Sequence, residues 1–172
     1  MKESDSKRLE AKKAQLRAKL NREKKLQRLN NLLSEAQIQS GTIVINKLPK
    51  SRINRDTWKY EPEIKESSVY PFRSEADYTN LIEVVKNWIQ QQPTKTLLLE
   101  NENLSQPGEW LSMDKKELLD KLGVLVERFR LLESILVAVD TQHFISMVDC
   151  ENEVILFQGY VDQKNEVIYN GP

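Results

Sequence analysis

Residues 131–170 read LLESILVAVDTQHFISMVDCENEVILFQGYVDQKNEVIYN, and this stretch alternates short apolar, β-branched runs with turn-forming residues. Polar turns such as Asp140-Thr141-Gln142 and Cys150-Glu151-Asn152 separate four runs, which cover 134–139, 144–148, 154–160 and 166–169. Connections this short favour an antiparallel meander, because a parallel crossover needs a dozen or more residues. The stretch therefore predicts most of a largely antiparallel sheet.

Two helices are predicted between residue 74 and this sheet. Ser74, with Asp77 three residues later, is typical of a helix N-cap. The apolar residues that follow have helical spacing: Tyr78, Leu81, Ile82, Val85, Trp88 and Ile89. A second helix is predicted over 112–122, and Gly123 leaves its continuation open. Between the two helices, 94–99 predicts a buried strand and 100–109 a loop.

The first part of the chain predicts one long helix. Residues 6–39 contain no Gly or Pro, and Leu26, Leu29, Leu33 and Ala36 form one apolar face, so only the second half of this helix is expected to dock. The segment 42–46 predicts a short strand, and 47–73 contains three prolines and isolated aromatic residues typical of a linker.

The predicted fold class is α+β, a mostly antiparallel sheet with helices packed on one face, preceded by a long basic N-terminal helix. The predicted organisation is a basic helical extension over 1–40, a strand and Pro/aromatic linker over 41–73, and an acidic α+β domain over 74–172.

The charge is divided unevenly along the chain. Residues 1–30 hold 11 Lys or Arg and 4 Asp or Glu, a formal charge of +7, and the remaining residues sum to −7 because the whole chain is neutral. Within 74–172, 17 acidic and 8 basic residues leave −9. This part of the molecule is expected to prefer a basic partner and to repel nucleic acid.

Composition also limits the class of protein. No segment approaches the roughly 18 consecutive apolar residues of a membrane span, and the N-terminus is charged where a signal peptide has an apolar core. We therefore expect a soluble cytoplasmic protein with no membrane partner. Because Cys150 is the single cysteine, one chain can form neither an internal disulfide framework nor a cysteine zinc cluster.

Catalytic signals are weak throughout the sequence. Cys150 and His143, seven residues apart, can be imagined meeting across a hairpin, but no basic neighbour in sequence would activate the thiol. Asp140, His143, Asp149 and Glu151 have no recognised metal-ligand spacing, and the five glycines form no phosphate loop. The expectation is a protein that is not an enzyme and uses no metal or cofactor.

A protein-interaction role is the leading functional prediction. Interface hot spots favour Trp and Tyr, and acidic side chains complement a basic partner. The candidate partner-binding residues are Trp58, Tyr60, Trp110, Asp114, Glu117, Asp120, Asp149, Glu151 and Glu153.

The stretch SILVAVDTQHFISMVDCENEVILFQGYVD, together with its preceding helix and acidic balance, resembles the small cytosolic immunity proteins that accompany bacterial secreted or contact-delivered toxins. The resemblance covers residues 74–172, and the basic first 30 residues depart from that pattern. It implies a function without catalysis, in which an acidic surface covers the basic active cleft of a cognate toxin domain.

The alternative prediction is a nucleic-acid- or ribosome-associated accessory protein. Helical Lys and Arg can contact phosphates and release counterions. The candidate nucleic-acid-binding residues lie in residues 1–30 and are Lys12, Lys13, Arg17, Lys24, Lys25 and Arg28. No aromatic residue precedes Trp58, so such binding is expected to be independent of base sequence.

Overall fold

A computed structural model describes residues 2–46, 48, 69–100, 103, 104, 106, 108–129, 134–164 and 166–170. Within these residues there are three helices and eight strands. The helices are α1 (Lys2–Glu35), α2 (Glu75–Gln91) and α3 (Lys115–Phe129). The strands are β1 (Thr42–Ile45), β2 (Val69–Pro71), β3 (Thr96–Leu99), β4 (Glu109–Asp114), β5 (Ile135–Ala138), β6 (His143–Cys150), β7 (Glu153–Val161) and β8 (Val167–Asn170).

All eight strands belong to one sheet, in the order β1-β4-β3-β5-β6-β7-β2, with β8 also paired to β7. Every pairing between described strands is antiparallel. The predicted α+β class and the predicted meander of β5 to β8 are confirmed. Strand β2 pairs with residues 153–155 of β7 and β8 with residues 158–161, so the two short strands share one side of β7.

The three helices cover one face of the sheet. Strand alternation sends every second side chain to that face, including Leu97 and Leu99 of β3, and these pack in one core cluster with Leu29, Leu81 and Leu118 of the helices. A second cluster lies on the opposite face and contains Leu98, Trp110, Ile135, Val137, Phe144 and Val161. Both faces of the central strands are therefore buried, which explains their continuous apolar runs.

The predicted N-cap of α2 is present. The Asp77 N–H donates to the Ser74 Oγ (3.2 Å), and the Ser74 N–H donates to the Asp77 Oδ2 (3.0 Å), which forms a capping box. Hydrogen bonding to Ser74 lowers the pKa of the Asp77 carboxyl. At the other end, the Gln92 N–H bonds to the Ile89 carbonyl before Pro93, so both ends of α2 agree with the prediction.

The structure corrects the prediction for residues 109–114. A loop followed by a helix from residue 112 was expected, but this segment is β4, and α3 begins at Lys115. Pairing with neighbouring strands makes this segment a strand, because Leu111 lies opposite both Ile43 and Leu99 and is fully buried. The Asp114 Oδ1 then accepts hydrogen bonds from the N–H groups of Lys116 and Glu117, which caps α3.

Gly123 lies inside α3, so the helix continues through it. A Cβ at this position would meet only the Tyr78 Oη, at 4.0 Å, which is ordinary van der Waals contact. We expect Gly123→Ala to stabilise the protein by about 0.5 to 1 kcal/mol, because alanine has less backbone entropy to lose in a helix. Urea unfolding followed by circular dichroism measures the change. A loss of stability would mean that the Tyr78 hydroxyl, which donates to the Gly123 carbonyl (2.9 Å), is displaced.

Candidate interaction surfaces

The second half of α1 is fixed to the helix-covered face of the sheet. Its docking residues follow three- and four-residue steps, and Leu29, Leu33 and Ala36 are buried as the sequence predicted. Residues 7–21, which we call the arm, are all exposed. An α-helix rises about 1.5 Å per residue, so the arm is about 22 Å long. One continuous helix thus contains both a docked half and an exposed half.

An ion pair marks the point where α1 leaves the body. The Arg22 Nη2 lies 2.6 Å from the Glu109 Oε1, and the Glu109 side chain is only 1% exposed. The Glu109 Oε2 also accepts a hydrogen bond from the Gln106 N–H (3.0 Å). A buried carboxylate requires such partners, since desolvation without them costs several kcal/mol. This ion pair was not predicted from the sequence. Its position could have suggested a contact with the body, because Arg22 lies one helical turn before Leu26 on the side of α1 that docks.

Glu117 holds the other end of α1. Its carboxylate accepts hydrogen bonds from the N–H groups of Gln39 (2.6 Å) and Ser40 (2.8 Å), and the Ser40 Oγ accepts one from the Asp114 N–H (2.9 Å). Burial alone would raise the pKa of the Glu117 carboxyl, but the hydrogen bonds from Ser40 and Gln39, with Lys121 nearby, lower it overall. This predicted partner-binding residue therefore fixes the turn between α1 and β1.

The arm carries three exposed leucines on one side. Leu9, Leu16 and Leu20 are 54%, 58% and 47% exposed. At 3.6 residues per turn they fall within an arc of about 40°, centred about 150° away from the docking residues Leu29, Leu33 and Ala36. The leucine stripe therefore points away from the sheet that α1 packs on.

All six predicted nucleic-acid-binding residues are exposed on α1. Lys13, Arg17, Lys24 and Arg28 lie within an arc of about 60° and form one row about 22 Å long, whereas Lys12 and Lys25 point elsewhere. Two shallow grooves at the base of the arm each have three cations in their lining. Lys19, Arg22 and Lys25 line one with Gln106, and Lys24, Lys25 and Arg28 line the other with Asn103.

The structure divides the acidic candidates between the two ends of the sheet. Asp114 and Glu117 lie where β4 passes into α3, and Asp120 is exposed further along α3. Asp149, Glu151 and Glu153 are all exposed at the tip of the β6–β7 hairpin, which we call the acidic hairpin. The pairing register puts this tip at the same end of the sheet as Glu109. The tip extends beyond Ser146, which is the last residue of β6 that pairs with β5.

The aromatic candidates do not form a surface in the described residues. Trp110 is fully buried in the second core cluster, so it is a core residue and its prediction as a surface anchor is wrong. Its Nε1–H has no hydrogen-bond partner among the residues that the structure describes. Trp58 and Tyr60 lie outside the described residues.

The residues considered for catalysis or metal binding are kept apart. His143 and Cys150 are the first and last residues of β6, and a strand rises about 3.3 Å per residue, so about 23 Å separates them. Asp140 lies near His143, whereas Asp149 and Glu151 lie at the opposite end of the strand. Across the described ranges, no group of three or more His, Cys, Asp or Glu is placed to hold a metal ion.

None of the helices in the described part of the chain is both long and apolar enough to cross a membrane. No protein-family model matches the chain, and no curated protein or solved structure is significantly similar to it.

Proposed function

We propose that this chain is a protein-binding module, without catalytic activity of its own, that presents the acidic hairpin to a basic partner. The observation that carries the proposal is the joint exposure of Asp149, Glu151 and Glu153 at the hairpin tip. Eight cross-strand residue pairs between β6 and β7 hold these carboxylates on a regular hairpin. Little conformational entropy is then lost when they meet a partner.

The proposed partner is a basic toxin domain, which makes the chain an immunity protein. Residues 74–172 carry a formal charge of −9, so their long-range field attracts a basic surface. Complementary charge mainly accelerates association, and it orients the two molecules before close contacts form. The acidic hairpin would cover the cationic cleft of such a domain and exclude its substrate.

The proposal requires a toxin domain encoded next to this chain in its native genome, and the test uses that domain in a catalytically inactive form. We expect the triple variant Asp149→Lys/Glu151→Lys/Glu153→Lys to associate with that domain about 10 to 100 times more slowly at 50 mM NaCl, as measured by surface plasmon resonance. At 500 mM NaCl the difference should shrink, because the Debye length falls to about 4 Å.

Glu75→Lys/Glu83→Lys/Glu127→Lys provides the matched control, since it makes the same change in charge on exposed carboxylates of α2 and α3. It should change the association rate less than threefold. If the triple variant associates as fast as the wild-type chain, the acidic hairpin is not the binding surface. If the neighbouring domain does not bind at all, the immunity proposal fails.

A second candidate function, binding of duplex RNA or DNA, is favoured by the row formed by Lys13, Arg17, Lys24 and Arg28. Each phosphate contact adds about 0.9 to the slope of log K against log salt on B-form DNA. We expect the variant with all four residues changed to Gln to reduce that slope by about 3 to 4, measured by fluorescence anisotropy with a 24-base-pair duplex. Changing Lys7, Arg8, Lys12 and Lys19 to Gln is the control with the same charge. If both variants reduce the salt-dependence slope equally, the attraction to nucleic acid is non-specific and the row is not a binding surface.

A further inference from the structure

Strand β1 lies at one edge of the sheet, and no strand of the described residues pairs with its outer side. The Asn46 N–H donates to the Gly108 carbonyl (2.8 Å), which continues the β1–β4 pairing register by one residue. The bonding direction alternates along an antiparallel strand, so the N–H and C=O groups of Val44 also point to β4. Those of Ile43 and Ile45 therefore point outward, away from the sheet.

The side chains along this outer edge are apolar. Ile43 and Ile45 are 37% and 70% exposed, and they are the two large hydrophobic residues outside the arm that are exposed in the described part of the chain. Ile43 lies opposite Leu111, which packs with the helices, so both isoleucines project from the helix-covered face and α1 leaves them largely uncovered. Thr42–Ile45 contains no charged residue and no Pro. Natural edge strands use such residues to keep other strands away, so this edge is open to one more strand.

The opposite edge of the sheet is less suited to supply that strand. It is formed by β2 and β8, and β2 is only three residues long and ends in Pro71, which has no N–H to donate. If β1 of one copy paired with this edge of the next copy, the contact would also be head-to-tail and would leave an open array. The strand that matches β1 is therefore a second β1.

Two β1 strands are complementary to each other. A twofold axis normal to the sheet makes them antiparallel, and it joins the helix-covered face of one sheet to the same face of the other. With the axis beside Val44, Ile43 of each copy lies opposite Ile45 of the other, and each such pair exchanges two hydrogen bonds. The outward N–H and C=O groups of both isoleucines are then all satisfied. Facing β-branched side chains stabilise the pairing further.

The helices leave room for this contact. α1 lies over β4, where Arg22 meets Glu109. Strands are about 4.8 Å apart, so the two α1 helices of a dimer would lie about 14 Å apart, with the isoleucines between them. Packed helices are about 8 to 10 Å apart, so the α1 helices do not clash. The twofold axis also sends the two basic arms in opposite directions, which keeps their like charges apart.

We propose that this chain forms a twofold dimer in which the β1 strands of two copies pair edge to edge and join the two sheets. A contact through one short strand belongs to the small interfaces that bury less than about 1,200 Å², so we expect a dissociation constant on the order of 10 to 500 µM. The acidic hairpin lies far from β1 across the sheet and stays exposed in the dimer. The dimer is therefore independent of the proposed immunity function, and its test needs no toxin domain.

Sedimentation velocity of the full chain between 5 and 500 µM tests the proposal. We expect a concentration-dependent dimer whose dissociation constant changes less than about threefold between 50 and 500 mM NaCl, because β1 carries no charge. Ile45→Lys should weaken the dimer at least about tenfold, since a charge on an edge strand opposes pairing. Its circular dichroism spectrum should be unchanged, because Ile45 is exposed. Leu16→Lys is the matched control, since it makes the same change at an exposed leucine of the arm, and it should leave the dimer intact.

Cysteine crosslinking tests the register. In the dimer the two Val44 residues face each other as a non-hydrogen-bonded pair, with Cα atoms about 4.5 Å apart, which is within the range of a disulfide. Oxidation of Val44→Cys/Cys150→Ser should therefore give a covalent dimer. Thr42→Cys/Cys150→Ser is the control on the same face of β1. Its two thiols would be four residues apart along the paired strands, about 13 Å, and should not crosslink.

A wild-type chain that is monomeric at 500 µM overturns the proposal. A dimer that dissociates in 500 mM NaCl, or that tolerates Ile45→Lys, also overturns it, because the contact then lies outside the β1 edge. Both cysteine variants leave Ile43 and Ile45 in place, so they test the pairing independently of Ile45→Lys. If both crosslink equally, or if neither does, the β1 strands are not paired about Val44 and the proposed dimer is wrong.

Discussion

Replacing Arg22 by methionine is expected to lower the free energy of unfolding by about 2 to 4 kcal/mol, because it takes a closely bound cation away from a buried carboxylate. Glu109 is 1% exposed, and its Oε1 loses the 2.6 Å contact with the Arg22 Nη2. The hydrogen bond from the Gln106 N–H remains, which keeps the expected loss below the upper end for a fully buried pair. Urea unfolding with an unchanged m-value measures the difference.

The double variant Arg22→Met/Glu109→Met tests the cause. It also removes the buried carboxylate, so we expect it to recover more than half of the lost stability, since well-packed apolar residues often replace a buried ion pair at little cost. Lys19→Met is the control for losing a cation on α1, and it should change stability by less than about 0.5 kcal/mol because Lys19 is exposed. If Arg22→Met is as stable as the wild-type chain, the ion pair does not fix α1 to β4.

Replacing Gly159 by alanine is expected to cost about 3 kcal/mol or more, the upper end for overpacking a closely packed site. A Cβ on Gly159 would overlap the carbonyl oxygen of Ile168 and lie 2.8 Å from the Phe144 Cζ. The first of these is backbone and cannot rotate away. The Phe144 ring is also held edge-on by Tyr169, with ring centroids 5.6 Å apart. Strand β8 should therefore separate from β7.

Hydrogen exchange of the β8 amides, together with urea unfolding, measures this effect. Faster exchange confined to β8 is expected if the strand separates while the rest of the sheet persists. Gly123→Ala makes the same chemical change in an open position and should have the opposite sign. Normal stability of Gly159→Ala would be incompatible with the close approach of β8 to β7.

Local patterns predicted the elements that depend on local contacts. The α2 helix is specified within its own sequence, by the Ser74 cap and by a complete apolar stripe, and both are present in the structure. The meander from β5 to β8 follows from short turns between apolar runs. Strand β4 was missed because it is stabilised by pairing with β3 and with β1, which lies more than 60 residues earlier in the chain, and because its residues also fit the start of a helix. Strand β2 has three residues, too few for a recognisable alternation.

The sequence predicted which types of residue the candidate surfaces contain, but not which residues the fold brings together. Sequence charge identified the basic helix and the acidic body, and the exposed carboxylates of the hairpin were among the candidates. Sequence cannot show that the Glu117 carboxylate binds the N–H groups of Gln39 and Ser40, which lie 78 and 77 residues away. It also cannot show on which face of a strand Trp110 lies, because a tryptophan suits a binding surface and a core equally well.

The pairing of β1 with β4 sets an order of events during synthesis. Strand β1 and the docking side of α1 leave the ribosome first, but β4, Glu109 and Glu117 are made more than 60 residues later. At typical elongation rates of 5 to 20 residues per second, this delay is on the order of 10 s. Throughout it, Leu29, Leu33 and the β-branched residues of β1 have no sheet to pack on. The nascent chain must avoid aggregation for that time, and the +7 charge of residues 1–30, which lies mostly before these leucines, opposes association with neighbouring nascent chains.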